Sequence, residues 1–159
     1  MIVLQTLALL VVACAMAFSL AHAAEMPGKM KLDKAHYLVV QKIYHPGFTV
    51  GGISEPLAIL VLAALWFASD DAPLVATSLA LVAAMQAVYW LAVHPVNKVW
   101  LGGEALPRAS AGFFGMGGAA SPDEDWSHLR RRWEYAHVVR AVLSLSALLL
   151  LAIHVAAQA

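Results

Sequence analysis

Four long apolar stretches alternate with polar connections along the chain: Ile2 to Ala21, Pro56 to Ala68 with a lead-in from Val50 to Ser54, Leu74 to Val93, and Val138 to Ala157. Each approaches the ~20 residues that an α-helix needs to cross the hydrocarbon core of a bilayer. Backbone groups in that core must find partners within the protein, so spans of this kind are helical. The pattern predicts an all-α fold, a four-transmembrane-helix bundle with helices over about 1–24, 50–69, 72–94 and 122–157, forming one integral membrane domain over residues 1–159. No stretch is left over that can bury a separate soluble core.

The connections add detail. In DKAHYLVVQKIY, Asp33 can cap a short helix whose Tyr37, Val40 and Tyr44 fall on one side, which predicts a short interfacial helix between helices 1 and 2. The segment GGEALPRASAGFFGMGG is too rich in Gly and small residues for a stable helix, whereas SPDEDW is a helix start. There Ser121 can cap, Pro122 suits the first helical position and Glu124 completes a capping box, so helix 4 is expected to begin well before the membrane. Pro95 is expected to bend or end helix 3. Ala21-His22-Ala23 has the small-x-small form of a signal cleavage site, but MIVLQT lacks Lys and Arg and the apolar run exceeds a usual signal core. Retention of the first run as a helix is therefore expected.

Composition agrees with a membrane protein: of 159 residues 62% are hydrophobic and 13% charged, and the formal net charge of zero implies no general attraction to nucleic acid. All ten Lys and Arg lie in or beside the two long connections, and none lies in the SDDAP link. By the positive-inside tendency both long connections face the cytoplasm and both termini lie outside it, as in a bacterial inner membrane. The single Cys14 permits no intramolecular disulfide and reads as a soft core residue. Walker loops, GxGxxG, CxxC and HExxH are absent from the sequence, so function has to lie in the polar residues near the membrane.

Those residues gather at one depth. His22 closes run one, Glu55 opens run two, His94 closes run three and His137 opens run four, all at the predicted inner side. Ionisable groups in membrane helices are costly and face partners or cavities. On helix 4, Trp126, Arg130, Trp133, His137, Arg140 and Ser144 keep one stripe with Glu134 beside it, and on helix 3 Gln86, Trp90, His94 and Asn97 do the same. Trp100, Trp126 and Trp133 also suit an interfacial belt, and Arg130 to Arg132 suit topology charges. His154 reads as an interfacial residue, and His36 and His45 as surface loop groups.

HPVNKVWL closing one membrane helix, with WSHLRRRWEYAHVVRAVL opening the next, resembles the anthrone-oxygenase-like family of small four-helix membrane proteins. The pattern is a Pro-x-Asn, here Pro95 and Asn97, then Trp126 or Trp133, Arg131, His137 and Arg140. The resemblance covers the second half by motif and the whole chain by helix number and length. It implies oxidation of an anthrone-like polyphenol to a quinone by dioxygen without a cofactor. A phenolic ketone that loses a carbon-bound proton becomes an enolate able to meet oxygen directly, so the protein supplies a base, oxyanion stabilisation and a dry pocket. The implied base is His137 or His94, with Arg140 and Asn97 on the oxyanion and Glu134 or Glu55 orienting a histidine. Trp90, Trp133, Tyr89 and Tyr135, with Gln86, would contact the aromatic substrate.

Two other classes stay open. His94 and His137, with His22 as a third ligand, could hold haem or copper. Alternatively, small-residue faces at Gly47, Gly51 and Gly52 or at Ala63, Ala64 and Ala68 could pack on a further copy or a larger membrane complex, as in an accessory subunit.

Overall fold

The computed structural model describes residues 1–44, 46–70, 72–101 and 125–158. Among the described residues there are six α-helices: α1 (Ile2–Lys29), α2 (Lys34–Gln41), α3 (Thr49–Phe67), α4 (Pro73–Val88), α5 (His94–Leu101) and α6 (Trp126–Ala156). A 3-10 turn over Lys42–Tyr44 follows α2, and a π-helical turn over Tyr89–Val93 joins α4 to α5. α1 packs on α3 and α6, and α4 packs on α3 and α6, so the long helices form a four-cornered bundle. Among the described residues four spans are long and apolar enough to cross a bilayer: α1, α3, Pro73–Trp100 and α6. Less than half of each apolar window is buried inside the protein. The rest is side chains such as Leu10, Leu60, Phe67, Leu91, Val142 and Leu149, exposed on the bundle's outside. Apolar surface on this scale belongs against lipid.

α1 runs five residues beyond its predicted end at 24, passing Pro27 to reach Lys29. Its last turns are secured by Lys29, which pairs with Glu25 one turn earlier at 3.6 Å and with Glu134 of α6 at 3.2 Å. α2 begins as predicted: the Asp33 carboxylate accepts from the His36 backbone N–H at 2.9 Å. His36 thus lies in the first turn of α2, not in a loop, and its exposed ring bonds Asp33 in turn. His45 and the predicted start at Ser121, Pro122 and Glu124 lie outside the described residues. Asp125 caps α6 through Ser127 N–H.

Helix 3 does not end at Pro95. Proline has no N–H for the carbonyl four residues back, which here is Leu91. The turn just before it widens to the π form, with His94 N–H reaching back five residues to the Tyr89 carbonyl. Arg132 Nη2 then donates to the Leu91 oxygen at 2.7 Å. A residue that reads in sequence as a topology charge therefore satisfies a carbonyl that Pro95 leaves without its usual donor.

The core has two parts. An aliphatic cluster including Val12, Leu62, Val75, Val82 and Leu151 fills the half nearer the termini. An aromatic one with Tyr44, Tyr89, Leu129 and Trp133 fills the half nearer the long connections. Close approach of α3 to α1 depends on Gly51: a Cβ there would lie 2.6 Å from Phe18 Cγ and 2.8 Å from Phe18 Cβ. Gly51 and Gly52 are buried within the bundle, whereas Gly47 of the same small-residue set is exposed. Because the clash involves the root of the Phe18 side chain, rotation cannot relieve it. Gly51→Ala is expected to lower stability by about 1–3 kcal/mol, read as a reduced melting temperature in detergent. An unchanged melting temperature would contradict the close α1–α3 contact.

Candidate functional site

Between the two cores lies a buried polar layer. Glu55 of α3 and Arg140 of α6 are 3% and 4% exposed, and Arg140 Nη2 donates to Glu55 Oε1. The second carboxylate oxygen accepts from the Gln86 amide at 2.6 Å, with the amide oriented so that its oxygen takes the Trp90 indole N–H at 3.0 Å. Arg140 Nη1 donates to His137 Nδ1 at 2.9 Å, and its guanidinium carbon lies 5.4 Å from the centre of the Tyr89 ring. Taking a carboxylate or a guanidinium out of water costs several kcal/mol, and their mutual attraction offsets this only when each is well bonded. Here Glu55 has two donors, so the pair is fixed in one arrangement.

Beyond Arg140 the rings take over. His22 of α1 and His137 stand with centroids 4.1 Å apart, and Trp133 lies 4.1 Å from His137 and 4.9 Å from His22. Tyr44 and Phe48 approach His22 at 4.5 and 4.6 Å. Trp133 is held by its indole N–H, which donates to Asn97 Oδ1 at 2.9 Å. These groups line a cavity of about 560 Å³, its open mouth included, together with Phe18, Gln41, Gly51, Glu55, Tyr89 and Arg140. Its mixture of rings with a few fixed polar groups is that of a small-molecule site. Two ring nitrogens buried in its wall, His22 Nδ1 and His137 Nε2, have no partner.

The segment between α1 and α3 roofs this cavity. Tyr37 is fully buried and its hydroxyl donates to Glu134 Oε1 at 2.7 Å, while Tyr44 donates to Glu25. Arg130 Nη1 donates to the Leu32 carbonyl at 3.0 Å, and Lys29 Nζ sits 4.6 Å from the centre of the Trp133 ring. Burial, reinforced by the Glu134 carboxylate, pushes the Tyr37 phenol well above its ordinary range. Burial and the hydrogen bond to Glu25 do the same for Tyr44.

Of the residues singled out in sequence, His137, Arg140, Asn97, Trp133 and Tyr89 line the cavity, as do His22 and Glu55. Glu134 does not; it anchors the roof through Tyr37 and Lys29. Gln86 and Trp90 stand behind Glu55, and Trp90 is 46% exposed. His94 is set against Trp90 and Tyr89, outside the lining, so three of the four groups expected at one depth face the cavity. Tyr135 is 57% exposed and faces away. His154, read as interfacial, is buried near the termini and bonded to Gln158. The roof residues Lys29, Gln41 and Phe48 were not singled out in sequence. A buried face including Tyr37 and Tyr44 was the available signal, and Gln41 sits on that face in place of the expected Val40.

The three histidines considered for haem or copper are not gathered as one ligand set: His94 is set against Tyr89 and Trp90, apart from the His22–His137 pair, and Arg140 occupies His137 Nδ1. Among the described residues no three His, Cys, Asp or Glu side chains are grouped to hold a metal.

Fold and site together define a small four-helix integral membrane protein with an aromatic-walled histidine–arginine cavity at one end of the bundle. The anthrone oxygenase family profile matches residues 41–150, and the chain belongs to that family. The matched span runs from the roof through α3, α4 and α5 into α6, leaving α1 and its His22 outside. No curated protein and no solved structure matches the chain.

Loss of the Tyr37 hydroxyl leaves the buried Glu134 short of a donor, so Tyr37→Phe is expected to cost about 1–3 kcal/mol and to speed proteolysis within residues 30–48. The raised phenols also set a pH dependence. Their contribution to stability is complete below the ordinary tyrosine value of 10.0 and declines as pH rises above it, because the unfolded chain ionises there and the folded one does not. Melting curves taken from pH 8 to about 11 should show less alkaline loss for Tyr37→Phe than for the unaltered chain; equal loss would contradict the burial of this phenol.

Proposed function

We propose that this protein is a cofactor-independent oxygenase that converts a hydroxylated, anthrone-like aromatic to the corresponding quinone. The reading rests on two buried imidazoles, each with one ring nitrogen lacking a hydrogen-bond partner, set beside a fixed guanidinium in an aromatic-walled cavity, in a chain of the anthrone oxygenase family. Such a substrate carries a CH₂ group between two aryl rings and opposite a ketone. Removal of one proton by an imidazole gives an enolate whose charge spreads onto the ketone oxygen. The enolate carbon passes its electrons to dioxygen and forms a carbon–oxygen bond. Protonation of the resulting peroxide, loss of the second carbon-bound hydrogen and cleavage of the O–O bond yield the new carbonyl and water. One oxygen atom enters the product and the other leaves with both hydrogens, so no further reductant is required.

The protein's part is positional and electrostatic. Trp133, Tyr44 and Phe48 offer ring faces to a flat substrate, and Arg140 with a histidine N–H stabilises the oxyanion in a site shielded from water. Asn97 serves by holding Trp133, since its carbonyl oxygen is occupied by the indole. An apolar substrate enters from the lipid at the end of the bundle that the Lys and Arg distribution assigns to the cytoplasm.

Oxygen uptake by the protein in nanodiscs, measured with reduced hydroxylated tricyclic aromatics, tests this reading. The unaltered chain should consume one O₂ per quinone formed. His137→Ala and Arg140→Lys should each insert and lower the rate by about 10²–10⁴-fold, Lys failing because it lacks the guanidinium's paired donors. Normal insertion with full activity in both variants would overturn the assignment.

A further inference from the structure

We infer that the chain Gln86–Glu55–Arg140 makes His137 an anion-binding donor, leaving His22 as the base, and that the cavity binds planar aromatics through a deprotonated oxygen. The proton positions follow from which atoms can donate. A guanidinium has five N–H donors and no acceptor, so Arg140 Nη1 can face His137 Nδ1 at 2.9 Å only if that nitrogen carries a lone pair. The imidazole's proton is therefore on Nε2. His137 is 3% exposed, and Nε2 is one of the buried nitrogens in the cavity lining without a partner. A buried N–H with nothing to donate to is unfavourable, and an anionic oxygen satisfies it.

Arg140 cannot rotate away from this task. Its Nη2 is engaged by Glu55 Oε1, and Gln86 holds Glu55 Oε2. Three helices thus fix one hydrogen bond, and Glu55 and Gln86 are positioning residues acting through Arg140. The same bond occupies the lone pair that His137 would need to accept a proton. The neighbouring ring at 4.1 Å, His22, has a buried Nδ1 without a partner and lies on α1. The ligand is consequently gripped by one histidine and deprotonated by the other. This division of labour takes its ligand class from the oxygenase reading, while the proton positions stand on the geometry alone.

The experiment uses the full chain in nanodiscs with ¹⁵N-labelled histidine. In the resting protein, the His137 resonances, assigned by loss in His137→Ala, should report the Nε2–H tautomer. A His137 ring protonated on Nδ1 overturns the inference whatever the activity. In the double variant Glu55→Gln/Arg140→Met, which removes both charges together and so leaves neither buried alone, His137 should become a mixture of tautomers. Binding of 1,8-dihydroxyanthraquinone should weaken by about ten- to a hundredfold, while that of unsubstituted anthraquinone should hardly change. An unchanged tautomer in the folded double variant, or equal weakening of both ligands, also overturns the inference. If the tautomer and the ligand preference are as expected but no reduced aromatic supports oxygen uptake, the oxygenase reading fails and the anion site stands.

Discussion

The contact between Glu55 and Arg140 governs the interior of this bundle because neither charge has water to fall back on. A buried pair of this kind adds little net stability over a well-packed apolar one, but removing one partner costs about 3–5 kcal/mol. The interaction therefore acts as a constraint on arrangement. It links α3 to α6 across the bundle, requires Gln86 from α4 to complete the carboxylate's bonding, and aims a further guanidinium N–H, on Nη1, at His137. Each neighbour in the polar layer has its position from this pair, directly or at one remove.

A second ionic group closes the site from the other side. Lys29, Glu134, Glu25, Tyr37 and Tyr44 tie the end of α1, the start of α6 and the connecting segment into one unit. Trp133 stands between the two groups, with the Lys29 ammonium on its ring, His137 against it and its indole N–H bonded to Asn97. The cavity is thus bounded by two charged clusters separated by aromatic rings. That arrangement keeps the charges paired while leaving apolar rings in the cavity wall and two buried imidazole nitrogens without a hydrogen-bond partner. The connecting segment is tied in through Tyr37 and Tyr44, which donate to Glu134 and Glu25, the same two carboxylates that Lys29 pairs with.

Much of this was legible from residue order alone. Helix number and membrane character follow from apolar runs, because a bilayer admits few structures and each needs a run of known length. The Asp33 cap and the alignment of Trp133, His137, Arg140 and Ser144 follow from spacing within one helix, where geometry is fixed by the 3.6-residue period. The depth argument brought His22, Glu55 and His137 to one level because an antiparallel path through a slab of fixed thickness sets depth by counting.

What counting cannot supply is rotation about each helix axis and the choice between partners. Periodicity put Trp90 and His94 on the same stripe as Asn97, but the π turn ahead of Pro95 shifts the register, and only Asn97 of the three reaches the cavity. Glu134 and Glu55 were equivalent candidates for orienting a histidine; the fold sends Glu134 to Lys29 and Tyr37 and leaves Glu55 to act through Arg140. Arg132 and Lys29 read as topology charges until tertiary packing gives one a carbonyl and the other a buried carboxylate. The sequence by itself determined which helices exist and how deep each polar group lies, since both depend on local length and composition. Which group meets which was decided by the tertiary structure, since a buried charge takes the partner that the packing of other helices places within reach.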